Sequence, residues 1–202
     1  MDGSVHLDIQ GEGIPLALLP PAPHTGQFFA PLLSHLDGFQ TLLVDYPGYG
    51  GSSPIPRPSI EAYAAQVAPH LPDNCWLMGF HTGNLVAAEI SKRASVAGIV
   101  MIDVPYFTLE TRATYAAKME NSTRNAAFHA AFAYEPSGLS GLTSPVHVIA
   151  TQSSLLDNSR TAAAQMGVSL TERMDVTAPV FEAHAKEMAS ELRAAIELMG
   201  TG

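Results

Sequence analysis

The chain has 202 residues, of which 10 are Lys or Arg and 19 are Asp or Glu, so its formal net charge is −9 with histidine neutral. A chain with this charge lacks the basic face that phosphate contacts require, which excludes nucleic-acid binding carried by charge. Hydrophobic residues make up 47 % of the chain, enough for one core, and we expect a single domain over residues 1–202.

The sequence also predicts a soluble protein without metal or cofactor. No apolar stretch is long enough to span a bilayer, and residues 1–6 lack the basic and apolar regions of a signal peptide, so we expect a cytoplasmic protein with no membrane partner. Cys75 is the single cysteine and cannot form an internal disulfide. No group of cysteines or histidines has the spacing of a metal site.

Strand and helix patterns alternate along the chain. The predicted strands are residues 5–9, 14–19, 41–44, 75–78, 97–104, 145–150 and 168–174. The predicted helices are residues 27–36, 59–71, 84–94, 108–119, 123–134, 155–166 and 181–199. A Gly-Glu-Gly turn at residues 11–13 predicts that the first two strands form a hairpin. The alternation favours an α/β protein with a mostly parallel sheet and crossover helices.

A strand, a sharp glycine-flanked turn and a helix meet at G-F-H-T-G, residues 79–83. This segment resembles the G-x-S-x-G nucleophile elbow of the α/β-hydrolase superfamily. D-Y-P-G-Y-G-G-S at residues 45–52 is similar to the family's D-x-P-G-x-G-x-S loop, and I-D-V-P at residues 102–105 to the end of its sixth strand. The resemblance implies an α/β-hydrolase fold, helices on both faces of the sheet, and a short cap over residues 107–144.

The chain departs from this family at the catalytic positions. His81 stands where the family has its nucleophilic serine. Ser153 or Ser154 occupies the position of the family's acid, and Asp157 falls in the next helix. No histidine lies in residues 174–179, where the family's histidine is expected, and His184 falls on the final helix. A complete Ser-His-Asp triad is therefore excluded.

Backbone donors for an oxyanion are also restricted. The loop at the position of the family's oxyanion loop is P-P-A-P-H, residues 20–24. Because proline has no N–H, the candidate donors are the Ala22 amide in this loop and the Thr82 amide after the elbow residue. His24, in a second His-Thr-Gly tripeptide, either faces the same pocket or is an exposed loop histidine. Phe80 completes the predicted oxyanion and substrate-binding set of Ala22, Thr82, His24 and Phe80.

His81 has the chemistry of a catalytic group at this position. Histidine tolerates the positive φ of an elbow, and imidazole serves as a nucleophile or as a general acid and base near neutral pH. Asp103, at the end of the neighbouring strand, is the candidate that would orient the ring and raise its pKa. The alternatives are an imidazole that only fills a vestigial pocket, and a carboxylate that only binds loop amides.

Aromatic side chains concentrate in the predicted cap. They either line an apolar pocket or anchor two small helices, and they are Phe107, Tyr115, Phe128, Phe132 and Tyr134. A short cap either leaves the pocket exposed to solvent or requires a partner chain to cover it. A homodimer is therefore one of the alternatives. The apolar face that can serve core and dimer alike is Met188, Leu192, Ile196 and Met199 on the last helix.

Three functions are compatible with these residues. The first is an enzyme on a small ester, thioester or other carbonyl substrate that uses His81 as general base or nucleophile in place of serine. The second is a non-hydrolytic isomerase or lyase on the same scaffold, with proton transfer at His81 as the whole mechanism. The third is a non-catalytic protein that binds a small molecule in the retained pocket.

Overall fold

The protein is described by a computed structural model over residues 4–119 and 126–200. Its strands are β1 (Leu7–Gln10), β2 (Ile14–Leu19), β3 (Phe39–Val44), β4 (Cys75–Phe80), β5 (Val96–Ile102), β6 (Val146–Thr151) and β7 (Ser169–Arg173). Its helices are α1 (Ala30–Leu33), α2 (Ile60–Val67), α3 (Thr82–Ser91), α4 (Leu109–Met119), α5 (Ala126–Ala133), α6 (Leu156–Met166) and α7 (Val180–Gly200). Short 3₁₀ turns lie at Gly26–Phe29, Ala68–His70 and Pro136–Leu139. Each predicted element has a counterpart, although the predicted start of the 123–134 helix lies outside the described residues.

The seven strands form one sheet in the order β1-β3-β2-β4-β5-β6-β7. All neighbours are parallel except β1, which pairs antiparallel with β3. The predicted hairpin is therefore wrong, because β3 lies between β1 and β2. The physical reason is burial: β2 is buried along most of its length and takes an interior position, whereas the half-exposed β1 suits an edge.

Successive residues of each central strand face opposite sides of the sheet. On β2, Leu16 and Leu18 pack toward α1 and α7, while Ala17 and Leu19 pack toward α2 and α3. The same period of two recurs along β4 and β5. Helices thus cover both faces of a mostly parallel sheet, as the sequence predicted.

The apolar face of α7 belongs to this core. Met188, Leu192 and Ile196 are buried against the sheet, and Met199 is partly buried beside them. Burial of this stripe satisfies its hydrophobic surface within the chain, so the stripe is not an available dimer surface. A homodimer stays a prediction, but the apolar stripe of α7 is not its interface.

The segment between β5 and β6 carries α4, α5 and a 3₁₀ turn, in the region predicted as a cap. The guanidinium of Arg112 on α4 donates to the backbone carbonyl oxygens of Phe132 and Ala133, which ties α4 to the end of α5. The Tyr134 hydroxyl donates to Glu89 Oε1 at 2.8 Å, which ties α5 to α3. Within residues 4–119 and 126–200, no helix is both long enough and apolar enough to cross a membrane.

Candidate active site

The carboxyl ends of the parallel strands bring the predicted site residues to one edge of the sheet. Ala22 follows β2, His81 follows β4, and Asp103 follows β5. Ser154 lies three residues beyond the end of β6. Ligands of open α/β sheets bind outside this edge, and the residues of the G-F-H-T-G segment lie there.

His81 has the backbone of an elbow. It lies between β4 and α3 with φ 50° and ψ −116°, a sparsely populated region for a residue with a side chain. The turn is held by Asn84, whose side-chain amide donates to the Ile102 carbonyl oxygen at 2.8 Å and accepts from the Ile102 N–H at 3.1 Å. Asn84 was not singled out from the sequence, because its partner lies on another strand.

The two glycines of the elbow permit close contact between strand and helix. A Cβ at Gly79 would lie 2.6 Å from the backbone nitrogen of Asn84, and a Cβ at Gly83 would overlap the carbonyl oxygen of Leu19. Because both obstacles are backbone atoms, a side chain is accommodated only if β2 or α3 moves. Both glycines are therefore required by packing.

We expect Gly83→Ala to lower the free energy of unfolding by about 1 to 3 kcal/mol, because the overlap with Leu19 outweighs the higher helix propensity of alanine. Urea denaturation followed by fluorescence of Trp76, the single and buried tryptophan, measures the change. Gly200→Ala is the matched control, since a Cβ there has no neighbour within 4 Å. Equal stability of Gly83→Ala and the wild type would contradict the close-contact role.

The His81 ring lies in a cavity of about 360 Å³ at this edge. Burial lowers the pKa of His81 below its ordinary value of 6.5, and the nearby Asp103 charge opposes this shift without cancelling it. The sequence predicted that Asp103 would raise the pKa of His81. The Asp103 charge does so, but the net change in the pKa of His81 is downward, so the prediction is wrong for the net direction. At neutral pH the ring is predominantly the neutral imidazole, the form that can accept a proton.

The Asp103 carboxylate is bound by Thr151 at the end of β6. Its Oδ1 accepts the Thr151 N–H at 2.8 Å, and its Oδ2 accepts the Thr151 hydroxyl at 2.7 Å. Asp103 is fully buried and has φ 51°. Among the described residues, no hydrogen bond joins this carboxylate to the His81 ring, so Asp103 acts on the imidazole through its charge.

The cavity has a polar side and an aromatic side. Ala22, His81 and Thr82 lie on the side of the sheet edge, together with Ser154 and Asn158. The segment between β5 and β6 supplies the aromatic wall, which consists of Phe107, Tyr115, Phe128 and Phe132. Phe132 stacks on Phe107 and Tyr115 and meets Phe128 edge to face, so the wall both lines the cavity and holds the two helices together.

The four predicted oxyanion and substrate-binding residues divide into two pairs. Ala22 and Thr82 line the cavity, and no hydrogen bond between described residues engages either backbone N–H. His24 and Phe80 are outside the lining set. His24 is exposed and packs on Phe28, whereas the Phe80 ring is buried and stacks on the His81 ring.

Neither missing triad position is filled from elsewhere in the cavity lining. Asp157 is exposed and pairs with Arg160 on the surface of α6. His184 interrupts the regular geometry of α7, and its Nε2 accepts the Thr177 N–H at 3.4 Å. His81 is the only imidazole that lines the cavity among the described residues.

Thr151 and Asn158 are two candidate site residues that the sequence patterns did not indicate. Thr151 holds Asp103, and the Asn158 amide donates to the Tyr106 carbonyl oxygen at 2.6 Å while its side chain lines the cavity. Both follow from contacts between segments about 50 residues apart. A polar residue at a strand end was the only signal available for Thr151.

No protein-family model matches the chain. A pimeloyl-(acyl-carrier protein) methyl ester esterase of Legionella pneumophila (strain Paris) is 32 % identical over 89 residues, which are 44 % of this chain and 36 % of the relative. The enzyme of the same description from Vibrio vulnificus (strain YJ016) is 30 % identical over 116 residues, 55 % of this chain and 46 % of the relative. The chain therefore spans less than half the length of these curated relatives.

Among solved structures, the esterase EaEST of Exiguobacterium antarcticum superposes with a TM-score of 0.80. The superposition covers 96 % of this chain and 95 % of that one at 14 % sequence identity. The chain thus has the α/β-hydrolase fold that the sequence predicted. The curated relatives are thus similar to about half of this chain, and the structural neighbour shares its fold.

Proposed function

We propose that this chain, with its α/β-hydrolase fold, is a hydrolase of a small ester or thioester in which His81 takes the place of the serine. The observation that carries the proposal is the position of His81, which lies at the elbow and lines one cavity together with Ala22 and Thr82. No hydrogen bond between described residues engages the backbone N–H of Ala22 or Thr82. The esterase activity named for the curated relatives supports the same reaction class.

A neutral imidazole supports two routes to hydrolysis. As a general base, His81 accepts a proton from water while the water oxygen attacks the carbonyl carbon, and it then gives the proton to the leaving oxygen or sulfur. As a nucleophile, a ring nitrogen attacks the carbonyl carbon and expels the alcohol or thiol, and water then cleaves the acyl-imidazole. In both routes the charge of Asp103 stabilises the protonated or acylated ring.

The carbonyl oxygen gains negative charge in both routes. The Ala22 and Thr82 amides are available to this oxygen, and Thr82 is the first residue of α3, where the helix dipole favours an anion. The cavity volume of about 360 Å³ is at the small end of the range for ligand sites, which favours a compact substrate. Its aromatic wall favours an apolar group on that substrate.

The proposal is tested by turnover of short aryl esters and acyl thioesters between pH 5 and 9. We expect one ionisation on the acidic side, below the ordinary imidazole value of 6.5, because burial lowers the pKa of His81. Activity should stay high from pH 7 upward and should fall as the pH drops through that ionisation and His81 becomes protonated. No turnover above buffer by the wild type would reject hydrolysis of these substrates.

Two alternatives have support from particular observations. The hydrogen bonds that Thr151 donates to Asp103 favour a binding protein, because within the described residues the imidazole donates no hydrogen bond to that carboxylate. Ligand-induced stabilisation without turnover, retained in His81→Ala, would identify it. The neutral imidazole in this cavity also suits proton transfer by an isomerase or lyase, which would show solvent deuterium exchange into a ligand without ester cleavage.

A further inference from the structure

Among the residues that the structure describes, the His81 ring has one close aromatic neighbour, the residue before it in the chain. The ring centroids of Phe80 and His81 are 4.0 Å apart and their planes differ by 21°, a stacked arrangement. No hydrogen bond from the described residues reaches the His81 ring, and the two Asp103 oxygens accept the N–H and the hydroxyl of Thr151 instead. The stacking contact is therefore the direct interaction that restrains the orientation of the imidazole.

Phe80 is itself held from several sides. It is 6 % exposed and packs in the core between the sheet and the α1 and α7 helices. Phe28 stacks over it at 5.6 Å with an interplanar angle of 23°, and Phe181 contacts it edge to face at 5.1 Å and 74°. A ring packed in this way stays in one rotamer, because the close-packed core leaves no room for another.

We propose that Phe80 is a positioning residue for His81, and that its ring, rather than a carboxylate, sets the plane of the imidazole in the cavity. This inference rests on the proposed function of His81 and assigns Phe80 a role other than substrate contact. Phe80 is buried beneath the reacting ring and is not among the residues that line the cavity.

The arrangement has a chemical consequence. A carboxylate partner fixes the imidazole by occupying one of its two nitrogens. Stacking restrains the ring through its face and leaves both nitrogens for water or substrate. One nitrogen can then accept a proton while the other donates a hydrogen bond, which suits a site that has a single histidine and no complete triad.

The test compares Phe80→Leu with Phe29→Leu. Both remove a buried phenyl ring from the same aromatic cluster, but Phe29 contacts Phe28 and Phe181 and does not stack on His81. On the best substrate found, we expect kcat of Phe80→Leu to fall about 10-fold to 100-fold with little change in KM, because a misplaced catalytic group is costly even when the substrate still binds. Phe29→Leu should lose similar thermal stability and keep kcat within about threefold of the wild type.

A second measurement does not depend on turnover. The imidazole protons of His81, assigned by their absence in His81→Asn, should show an upfield ring-current shift in proton NMR spectra. We expect this shift to disappear in Phe80→Leu and to persist in Phe29→Leu. No upfield shift in the wild type, or an equal change in both variants, overturns the stacking.

The outcomes separate this inference from the function on which it rests. If the wild type turns over no substrate, the hydrolase proposal fails, and the NMR comparison alone decides whether Phe80 fixes the ring. If the wild type is active, an unchanged kcat in Phe80→Leu, or an equal loss in Phe29→Leu, overturns the positioning role. A selective loss of kcat together with the selective loss of the ring-current shift supports it.

Discussion

Replacing His81 with asparagine should lower kcat on the best ester found by about 100-fold to 10,000-fold, the range attributed to general acid–base groups. Asparagine tolerates the positive φ of the elbow and remains polar, but it cannot accept a proton near neutral pH. The ring lies beside a cavity and makes no hydrogen bond to the described residues, so we expect a change in Tm of only a few degrees.

His70→Asn is the matched control for this loss of activity. His70 is exposed on the 3₁₀ turn after α2 and is not among the cavity-lining residues. We expect its kcat, KM and Tm to equal those of the wild type. Full activity in His81→Asn, or an equal loss in His70→Asn, would show that the imidazole at the elbow does not carry the reaction.

Asp103→Ala should have the largest effect on stability. The substitution removes both acceptors of Thr151, whose backbone N–H would then be buried without a partner, and it places alanine at φ 51°. We expect the free energy of unfolding to fall by about 2 to 4 kcal/mol. At about 2 to 4 °C per kcal/mol for a chain of this size, Tm should fall by roughly 4 to 16 °C.

Three variants place this result in context. Asp73→Ala removes an exposed carboxylate and should leave Tm unchanged. Thr151→Val removes the hydroxyl and keeps the N–H, so its loss should be smaller than that of Asp103→Ala. Asp103→Asn removes the charge that raises the pKa of His81, so the rise of activity with pH should move to lower pH. A wild-type Tm in Asp103→Ala would contradict the structural role of this carboxylate.

Much of the fold could be predicted from the sequence because local patterns determine its elements. The alternation of residues 16–19 between the two faces of the sheet follows from the period of a strand. Ser59 marks the start of α2, and its hydroxyl accepts the Ala62 N–H at 3.0 Å. The glycines around His81 similarly predicted the elbow, since a chain that turns sharply between strand and helix has no space for side chains there.

The pairing of β1 could not be predicted, because the turn at residues 11–13 allows two arrangements. β2 can pair directly with β1, or it can lie one strand further along the sheet and leave room for β3 between them. The β1–β3 pairing depends on which strand needs burial on both faces, and that is a property of the whole sheet. A dimer surface could not be predicted from the sequence for the same reason. An apolar helical stripe such as that of α7 indicates burial without indicating whether the chain itself or a partner provides it.

For the candidate site, the sequence by itself determined the residue types: an imidazole at the elbow, no histidine in residues 174–179, and a carboxylate at the end of β5. These facts follow from the identity of the residues and their order along the chain. Only the tertiary structure decided that Asp103 binds Thr151, that Phe80 stacks on His81, and that burial outweighs the carboxylate charge in setting the pKa of His81. Each of these depends on distances between separate segments or on the depth of a group below the surface, and local sequence patterns encode neither.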